Sequence, residues 1–305
     1  MGSRFSATQI PKGPNHLNRL ALGTVQFGLP YGIANREGQV SLAEAKFMLH
    51  LAKASGVDTI DTAIAYGNSE ACLGKLGMQG LNVVTKLPAL PENCIDVHSW
   101  VHKQVYASLT LLGVTKIFGL LLHRPDQLLT SNGAKLYQSL KELKKNGLVQ
   151  KMGISIYSPS ELDELIPKYN FDLVQAPLNL IDQRFFRSGW LHRLKQDGVE
   201  IHTRSAFLQG LLLMSRTDIP SKFLPWENLW LKWHSWLANH SISALQASIA
   251  FPLSFTEIDR IVVGANSVRQ LSEIMSATNW PSNINLPDLK CNDEILINPA
   301  KWNLL

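Results

Sequence analysis

The chain has 305 residues, of which 45% are hydrophobic and 17% charged, with a formal net charge of +5 and a pI near 9.0. This composition predicts a globular protein with a large core and excludes an intrinsically disordered one. No stretch approaches the roughly 18 unbroken apolar residues of a membrane-spanning helix, so we expect no membrane contact. The basic residues are spread along the chain, which disfavours nucleic-acid binding.

The length fits one α/β barrel, and no long linker or internal repeat divides the chain. We predict a single domain over residues 18–305, preceded by a flexible arm over residues 1–17. The first thirteen residues, MGSRFSATQIPKG, lack the apolar segment of a secretory signal. The cysteines are far apart and are interpreted as reduced thiols: Cys72, Cys94 and Cys291. These features predict a cytoplasmic protein and leave its oligomeric state open.

Short apolar segments alternate with amphipathic segments along the chain. The apolar segments predict buried strands at residues 20–25, 57–61, 82–86, 117–122, 151–155, 172–176, 199–203 and 260–263. The amphipathic segments predict helices at residues 41–55, 69–77, 97–112, 133–146, 159–168, 184–197, 227–240 and 267–276. The alternation favours an α/β fold, a (β/α)₈ TIM barrel. A doubly wound sheet needs a Gly-x-Gly-x-x-Gly fingerprint, and the sequence contains none.

Residues at the ends of the predicted helices support these boundaries. Ser41 and Glu44 have the spacing of a capping box at the start of the first helix. Glycines follow four of the helices, where C-caps are expected: Gly56, Gly113, Gly147 and Gly198. Segment 213–232 is the longest irregular stretch and a candidate lid or substrate wall. Three tryptophans at helical spacing predict a helix face packed on the barrel: Trp226, Trp230 and Trp233.

Four reactive residues follow or end three consecutive predicted strands. Asp61 and Lys86 close their strands, Tyr66 lies in the loop after the first of them, and His123 directly follows the third. Each alone has a structural explanation, such as a turn cap, a solvated lysine, a core histidine or a packed ring. Because the C-terminal ends of barrel strands converge on one mouth, their joint occurrence favours a catalytic site.

The chemistry of these four residues fits the reduction of a carbonyl. Hydride delivery creates an alkoxide, which needs a proton and stabilisation of its charge as it forms. Tyr66 can supply the proton, and a neighbouring Lys86 ammonium is expected to lower the tyrosine pKa from its ordinary value of about 10. Asp61 would hold the lysine in place, and His123 would orient the carbonyl. These groups require no metal ion.

The run Asp61-Thr-Ala-Ile-Ala-Tyr-Gly-Asn-Ser-Glu70, followed by Leu73-Gly74, resembles the signature of the aldo-keto reductase superfamily. Further matches occur in the right order at Thr85-Lys86, at 122–126 (LHRPD), at 153–155 (GIS) and at Gln175 with Asn179, so the resemblance covers about residues 18–278. It implies a (β/α)₈ barrel that binds NADPH, less often NADH. It also implies that Tyr66 is the general acid, supported by Lys86 and Asp61, with His123 orienting the carbonyl.

The resemblance further implies a set of cofactor contacts. Ser155 and Gln175 match positions that hold the nicotinamide carboxamide. Segment 205–212, which contains Ser205 and Gly210, resembles the loop that cradles the pyrophosphate. Segment 263–273, which contains Gly264 and Gln270, resembles the stretch that grips the adenosine 2′-phosphate and the adenine.

Four positions depart from the family pattern. Ile156 stands where an asparagine usually contacts the carboxamide. Arg204 replaces the aromatic ring that stacks on the nicotinamide, and we hypothesise that it stacks there itself or reaches an anionic group. Gln270 and Ile274 stand where arginine and asparagine are common. Because a phosphate dianion prefers arginine or lysine, the preference for NADPH over NADH is open.

The sequence therefore predicts a reversible NAD(P)H-dependent oxidoreductase acting on an aldehyde, ketone or sugar. We expect its substrate pocket to be built from Gln26 to Tyr31, from residues 88–98 and from segment 213–232, with Phe27, Tyr31 and Trp226 among its walls. The alternative is a catalytically weak, cofactor-binding regulatory protein of the same fold. A barrel isomerase or lyase acting on phosphorylated sugars has no positive support in the sequence.

Overall fold

The computed structural model describes residues 16–279 and 285–304. Within them, eight parallel strands close into a barrel in which β8 pairs with β1. The strands are β1 (Leu20–Gly23), β2 (Thr59–Asp61), β3 (Asn82–Leu87), β4 (Ile117–Leu122), β5 (Val149–Ser155), β6 (Leu173–Pro177), β7 (Glu200–Arg204) and β8 (Arg260–Gly264). The predicted single (β/α)₈ barrel is confirmed. Most of the predicted arm, residues 1–15, lies outside the described residues.

The helices occupy the predicted intervals, except that one predicted helix is divided and that three helices, Val25–Gly28, Ala244–Leu253 and Glu294–Ile297, were not predicted. In chain order they are α1 (Val25–Gly28), α2 (Leu42–Ala54), α3 (Ser69–Leu76), α4 (Val97–Leu112), α5 (Gly133–Lys145), α6 (Ser160–Leu165), α7 (Arg184–Arg187), α8 (Trp190–Gln196), α9 (Glu227–His240), α10 (Ala244–Leu253), α11 (Val268–Ala277) and α12 (Glu294–Ile297). The predicted helix at 184–197 is two helices, because Gly189 interrupts it with a φ of 81°. Helix α10 was not predicted, because residues 247–253 are all buried and show no polar face.

The observed helix caps explain several boundaries. Ser41 accepts a hydrogen bond from the Glu44 backbone N–H at 3.2 Å, as the capping-box spacing predicts. The Glu44 carboxylate instead accepts from the backbone N–H of Val268 at 2.6 Å, which ties α2 to the start of α11. The four predicted C-cap glycines all have positive φ, between 65° and 86°. No helix in the described part of the chain is both long and apolar enough to cross a membrane.

The barrel interior is filled below its C-terminal mouth. Because side chains alternate across a strand, residues two positions apart face the same side. Three buried residues form a small apolar cluster separate from the main core, and each lies two positions before a predicted site residue: Val84 before Lys86, Leu121 before His123, and Leu173 before Gln175. This apolar layer lies directly under the site residues inside the barrel.

The segment after β7 buries two of its tryptophans against its own turns. It contains short 3₁₀ turns within 208–226 and then α9. Trp230 and Trp233 are buried, and their indole N–H groups donate to the backbone carbonyls of Phe223 and Leu212. The indole N–H of Trp226 donates to Asp293 at 3.2 Å. These rings therefore serve packing.

Candidate active site

The C-terminal ends of the strands surround a cavity of about 730 Å³. All eleven site residues predicted from the sequence line it: Asp61, Tyr66, Lys86, His123, Ser155, Gln175, Arg204, Ser205, Gly210, Gly264 and Gln270. The register explains their convergence, since it places Gly23 beside both Asp61 and Gly264, and Ser155 beside Gln175. Parallel pairing thus brings residues far apart in the sequence to one mouth.

Asp61 and Lys86 form a buried ion pair at the base of the cavity. The Lys86 Nζ donates to Asp61 Oδ1 at 2.6 Å and to the backbone carbonyl of Thr62 at 2.9 Å. Lys86 is only 1% exposed. Burial lowers the pKa of Lys86, and the Asp61 carboxylate opposes that shift. The ammonium is therefore held in one place by two oxygen acceptors.

Tyr66 lies next to this pair, with the Lys86 Nζ 5.2 Å from its ring centroid. Burial raises the pKa of the Tyr66 phenol well above its usual value, the Asp61 carboxylate adds to the rise, and Arg204 opposes it. The direction is opposite to the predicted lowering by lysine, because Asp61 engages the Lys86 ammonium and burial penalises the phenolate. Tyr66 in the free protein is consequently a neutral phenol that carries its proton.

His123 faces Tyr66 across the mouth. The two rings meet edge to face, with centroids 5.9 Å apart and an interplanar angle of 80°. Burial, followed by the positive charges of Lys86 and Arg204, lowers the pKa of His123 to about 4. The imidazole is therefore neutral at pH 7 and can present one N–H donor to a ligand.

A buried hydrogen-bond chain joins the Asp61–Lys86 pair to two of the predicted cofactor residues. Gln175 Nε2 donates to Asp61 Oδ2 at 2.7 Å, and Ser155 Oγ donates to Gln175 Oε1 at 3.3 Å. Gln175 is fully buried and Ser155 is 1% exposed. Both oxygens of Asp61 are thus engaged, one by Lys86 and one by Gln175.

The loop that carries Tyr66 is fixed by close backbone packing. A Cβ on Gly28 would lie 1.8 Å from the Tyr66 carbonyl oxygen, and one on Gly67 would lie 2.4 Å from the Gly28 carbonyl oxygen. Gly67 also has a φ of 56°, which favours glycine. Glu70, later in the same motif, is buried and accepts hydrogen bonds from Thr85 and Ser108. The signature residues thus combine catalytic candidates with anchors for their loop.

Arg204 forms part of the cavity wall. Its guanidinium lies over the Tyr157 ring, with Cζ 4.7 Å from the centroid, and donates to the Ile156 carbonyl at 2.9 Å. A longer contact of 3.3 Å reaches Ser205 Oγ. Among the residues that the structure describes, no carboxylate forms a salt bridge with it. A half-buried positive charge therefore borders the cavity without a salt-bridge partner in the described ranges 16–279 and 285–304.

The loop after β7 has an unusual backbone. Ser205, Leu208 and Gln209 have φ values of 64°, 48° and 53°, and Gly210 has 91°. Non-glycine residues rarely adopt this region, and they concentrate at ligand-binding sites. Asn179 stabilises the first turn by donating from Nδ2 to the Ser205 carbonyl at 3.0 Å. The loop presents Ser205 and Gly210 to the cavity.

The far end of the cavity is lined by residues of α11 and the turn before it. Gln270 Oε1 accepts from the Asn266 backbone N–H at 2.8 Å. Glu273 also lines the cavity and pairs with Arg269 at 2.9 Å, while the Arg269 side chain is 88% exposed. The buried acceptor oxygens Gln26 Oε1 and Asn266 Oδ1 have no hydrogen-bond partner among the described residues. A polar ligand that brings N–H or O–H donors fits this cavity.

The predicted substrate walls need correction. Tyr31 lines the cavity, but Phe27 is fully buried in the core and Trp226 does not line it. Within the described residues, loop 88–98 contributes nothing to the lining, and segment 213–232 contributes only Leu213. Residues not predicted to line the cavity include Tyr157, Pro299 and Ala300. The last two come from the end of the chain, where no sequence pattern links them to the mouth.

The chain matches the model of the aldo/keto reductase family over residues 19–285 and belongs to that family. An uncharacterized oxidoreductase of Bacillus subtilis, YqkF, is 24% identical over 192 residues, which are 59% of this chain. The chain spans 61% of the length of that relative.

Solved structures share the same fold. The holo form of aldo-keto reductase AKR11C1 from Bacillus halodurans has a TM-score of 0.65 at 20% identity, over 86% of this chain and 87% of that one. The glycerol dehydrogenase AKR11B4 from Gluconobacter oxydans has a TM-score of 0.66 at 23% identity, over 90% of this chain and 91% of that one. At these identities the similarity establishes the barrel.

Proposed function

We propose that this protein interconverts a small-molecule carbonyl, in an aldehyde, ketone or sugar, with its alcohol, using NAD(P)H and Tyr66 as general acid and base. The observation that carries the proposal is the convergence of four residues on one cavity. Asp61 and Lys86 are paired at 2.6 Å, Lys86 lies under the Tyr66 ring, and His123 meets that ring edge to face. Family membership supports the same reaction class.

Each residue has a role in moving one proton. The nicotinamide cofactor supplies the hydride when bound. Tyr66 gives its phenolic proton to the carbonyl oxygen as that oxygen becomes an alkoxide, which is about as basic as hydroxide (pKa of water about 15.7). The high pKa of Tyr66 keeps this proton available, and the transfer is still downhill. Lys86 stabilises the resulting phenolate, Asp61 holds Lys86, and the neutral His123 N–H orients the carbonyl.

The proposed cofactor is NADPH, with NADH as the alternative. Ser155, Gln175 and Arg204 would hold the nicotinamide end, Ser205 and Gly210 the pyrophosphate, and Gly264 and Gln270 the adenosine end. The cavity volume of about 730 Å³ is in the usual range for a ligand site. The unpartnered oxygens of Gln26 and Asn266 favour a ligand with amide or hydroxyl donors.

The role proposed for Arg204 is to stack on the nicotinamide or to bind an anionic group. Its position over Tyr157 and its lack of a carboxylate partner among the described residues support a ligand contact. Arg204→Ala is expected to weaken cofactor binding or turnover. Unchanged cofactor affinity together with unchanged turnover on all substrates would exclude both roles.

The test is cofactor binding followed by turnover. Eight tryptophans provide a fluorescence signal that NADPH or NADH can quench. Turnover of a carbonyl panel is then followed by nicotinamide absorbance, with Tyr66→Phe as the control. Binding with turnover that collapses in the variant supports the proposal. Binding without turnover would favour a regulatory protein. Binding of neither cofactor would contradict both, and substrate conversion without an absorbance change would indicate an isomerase or lyase.

A further inference from the structure

Three potential metal ligands meet on the outer surface of the barrel, between α4 and α5. His98 and His102 are four residues apart on α4, so their imidazoles lie on one face of the helix. Glu142 comes from the neighbouring helix α5. One ligand atom from each residue lies within 4.8 Å of the others. None of the three residues lines the cavity at the barrel mouth.

The contacts within this group leave one nitrogen without a partner. His98 Nε2 lies 2.8 Å from Glu142 Oε2. The two imidazole rings stack with centroids 4.1 Å apart and planes inclined by 28°. The Nε2 of His102 is shielded from solvent and has no hydrogen-bond partner among the described residues. A shielded polar atom without a partner destabilises the fold, so a ligand bound to His102 Nε2 would remove this cost.

The chemistry of the three side chains suits a transition-metal ion, because imidazole nitrogens and carboxylate oxygens are common ligands of such ions. The Gln138 side chain donates a hydrogen bond to Glu142 Oε1 at 3.2 Å, while the other carboxylate oxygen, Oε2, lies next to His98.

We propose that His98, His102 and Glu142 bind a divalent transition-metal ion of the zinc type. Two imidazole nitrogens and one carboxylate oxygen supply three of the four positions of a tetrahedral site, and water can fill the fourth. Nitrogen ligands favour Zn²⁺, Co²⁺, Ni²⁺ or Cu²⁺ over Mg²⁺ and Ca²⁺. A simple His98–Glu142 ion pair would explain the 2.8 Å contact but not the unpartnered nitrogen of His102.

Such an ion would join two consecutive helices of the outer layer. Its ligands come from α4 and α5, which flank β4, the strand that precedes His123. An ion that binds the folded chain and not the unfolded chain raises the thermal midpoint, and the rise grows with the logarithm of the ion concentration above Kd. The expected role is therefore stabilisation of the helix pair, independent of the chemistry at the mouth.

The test uses the full-length chain, freed of metal with a chelator and then titrated with ZnCl₂ in a calorimeter. We expect binding at about one ion per chain, and a rise in Tm with ZnCl₂ but not with MgCl₂. His102→Gln and Glu142→Gln are each expected to weaken Zn²⁺ binding by at least the roughly 10- to 100-fold typical of altered metal surroundings. The matched control is His192→Gln, because His192 is a surface histidine, 68% exposed, that lies outside the group.

A second measurement separates lost binding from lost folding. Co²⁺ bound by imidazole and carboxylate gives a visible absorption spectrum, which His102→Gln should remove while the circular dichroism spectrum stays that of the parent. Zn²⁺ affinity equal in His102→Gln and His192→Gln would overturn the proposal. So would a parent chain that binds no Zn²⁺.

Discussion

Gln175 donates a 2.7 Å hydrogen bond to Asp61 Oδ2, the oxygen that Lys86 leaves free. Asp61, Gln175 and Ser155 are thereby linked to the Lys86 ammonium, which Asp61 contacts directly together with the Thr62 backbone carbonyl. Gln175 is also a proposed contact for the nicotinamide carboxamide. Its side-chain amide would therefore connect bound cofactor to Asp61 and Lys86. This link suggests that cofactor affinity and turnover are coupled through a single side chain.

The first prediction concerns this link. Gln175→Leu removes the donor to Asp61 and leaves a buried carboxylate oxygen without a partner, which costs about 1–3 kcal/mol. We expect kcat/KM to fall by roughly 5- to 150-fold, with weaker cofactor binding. Ser155→Ala is the matched control, because its hydrogen bond to Gln175 is longer, at 3.3 Å. An equal loss of kcat/KM in Gln175→Leu and Ser155→Ala, measured by steady-state kinetics, would refute the link.

The second prediction distinguishes the proton donor from a neighbouring tyrosine. Tyr66→Phe removes only the phenolic hydroxyl and keeps the ring. We expect kcat to fall by about 10²–10⁴-fold, with the Kd of the cofactor nearly unchanged. Tyr31→Phe is the control, because Tyr31 lines the same cavity and its hydroxyl accepts from Gln209 at 3.0 Å. Comparable losses of kcat in the two variants would argue against Tyr66 as the acid.

The third prediction is a pH dependence of stability. His123 has a folded pKa of about 4 against an ordinary value of 6.5. Below pH 6.5 the unfolded chain binds this proton and the folded chain does not, so stability falls as pH decreases towards 4. His123→Gln should remove about 3 kcal/mol from that pH-dependent loss of unfolding free energy. The measurement is urea unfolding of the parent and of His123→Gln at pH 7 and pH 4.5. An equal loss of unfolding free energy in the two proteins would contradict the prediction.

The fourth prediction concerns cofactor choice. The Glu273 carboxylate borders the cavity end proposed for adenosine and would repel a 2′-phosphate. Glu273→Gln also frees Arg269 from its 2.9 Å ion pair. The ratio of NADPH to NADH affinity should therefore shift towards NADPH by roughly tenfold, about 1.4 kcal/mol. Glu257→Gln, remote from the cavity lining, serves as control, and a ratio unmoved by Glu273→Gln would exclude this role.

Much of the fold could be predicted because each strand is short, apolar and followed by a helix with a clear polar face. Helix α10 could not, since its residues are buried on nearly every side and carry no periodic signal. The four catalytic candidates were identifiable because strand ends of a barrel share one mouth. Their protonation was not, because the pKa of Tyr66 depends on burial and on Asp61, which outweigh the proximity of Lys86.

The substrate walls were the least predictable part of the site. Pro299 and Ala300 reach the mouth from the end of the chain, and no local pattern encodes that return. Phe27 looked like a pocket residue because it lies beside a strand end, yet it is fully buried. Which loop residues face inward depends on tertiary packing that periodicity does not contain.

The contact between Gly28 and the Tyr66 carbonyl sets a limit on redesign. A Cβ at position 28 would lie 1.8 Å from that oxygen, so any other residue there must displace the loop that carries Tyr66. Variant libraries aimed at new substrates can vary Tyr31 or residues 299–300. Variation at position 28 would instead move Tyr66 as well as the pocket wall. Substitutions at Tyr31 or residues 299–300 can therefore change the substrate range without moving Tyr66, whereas a substitution of Gly28 changes substrate range and catalytic rate together.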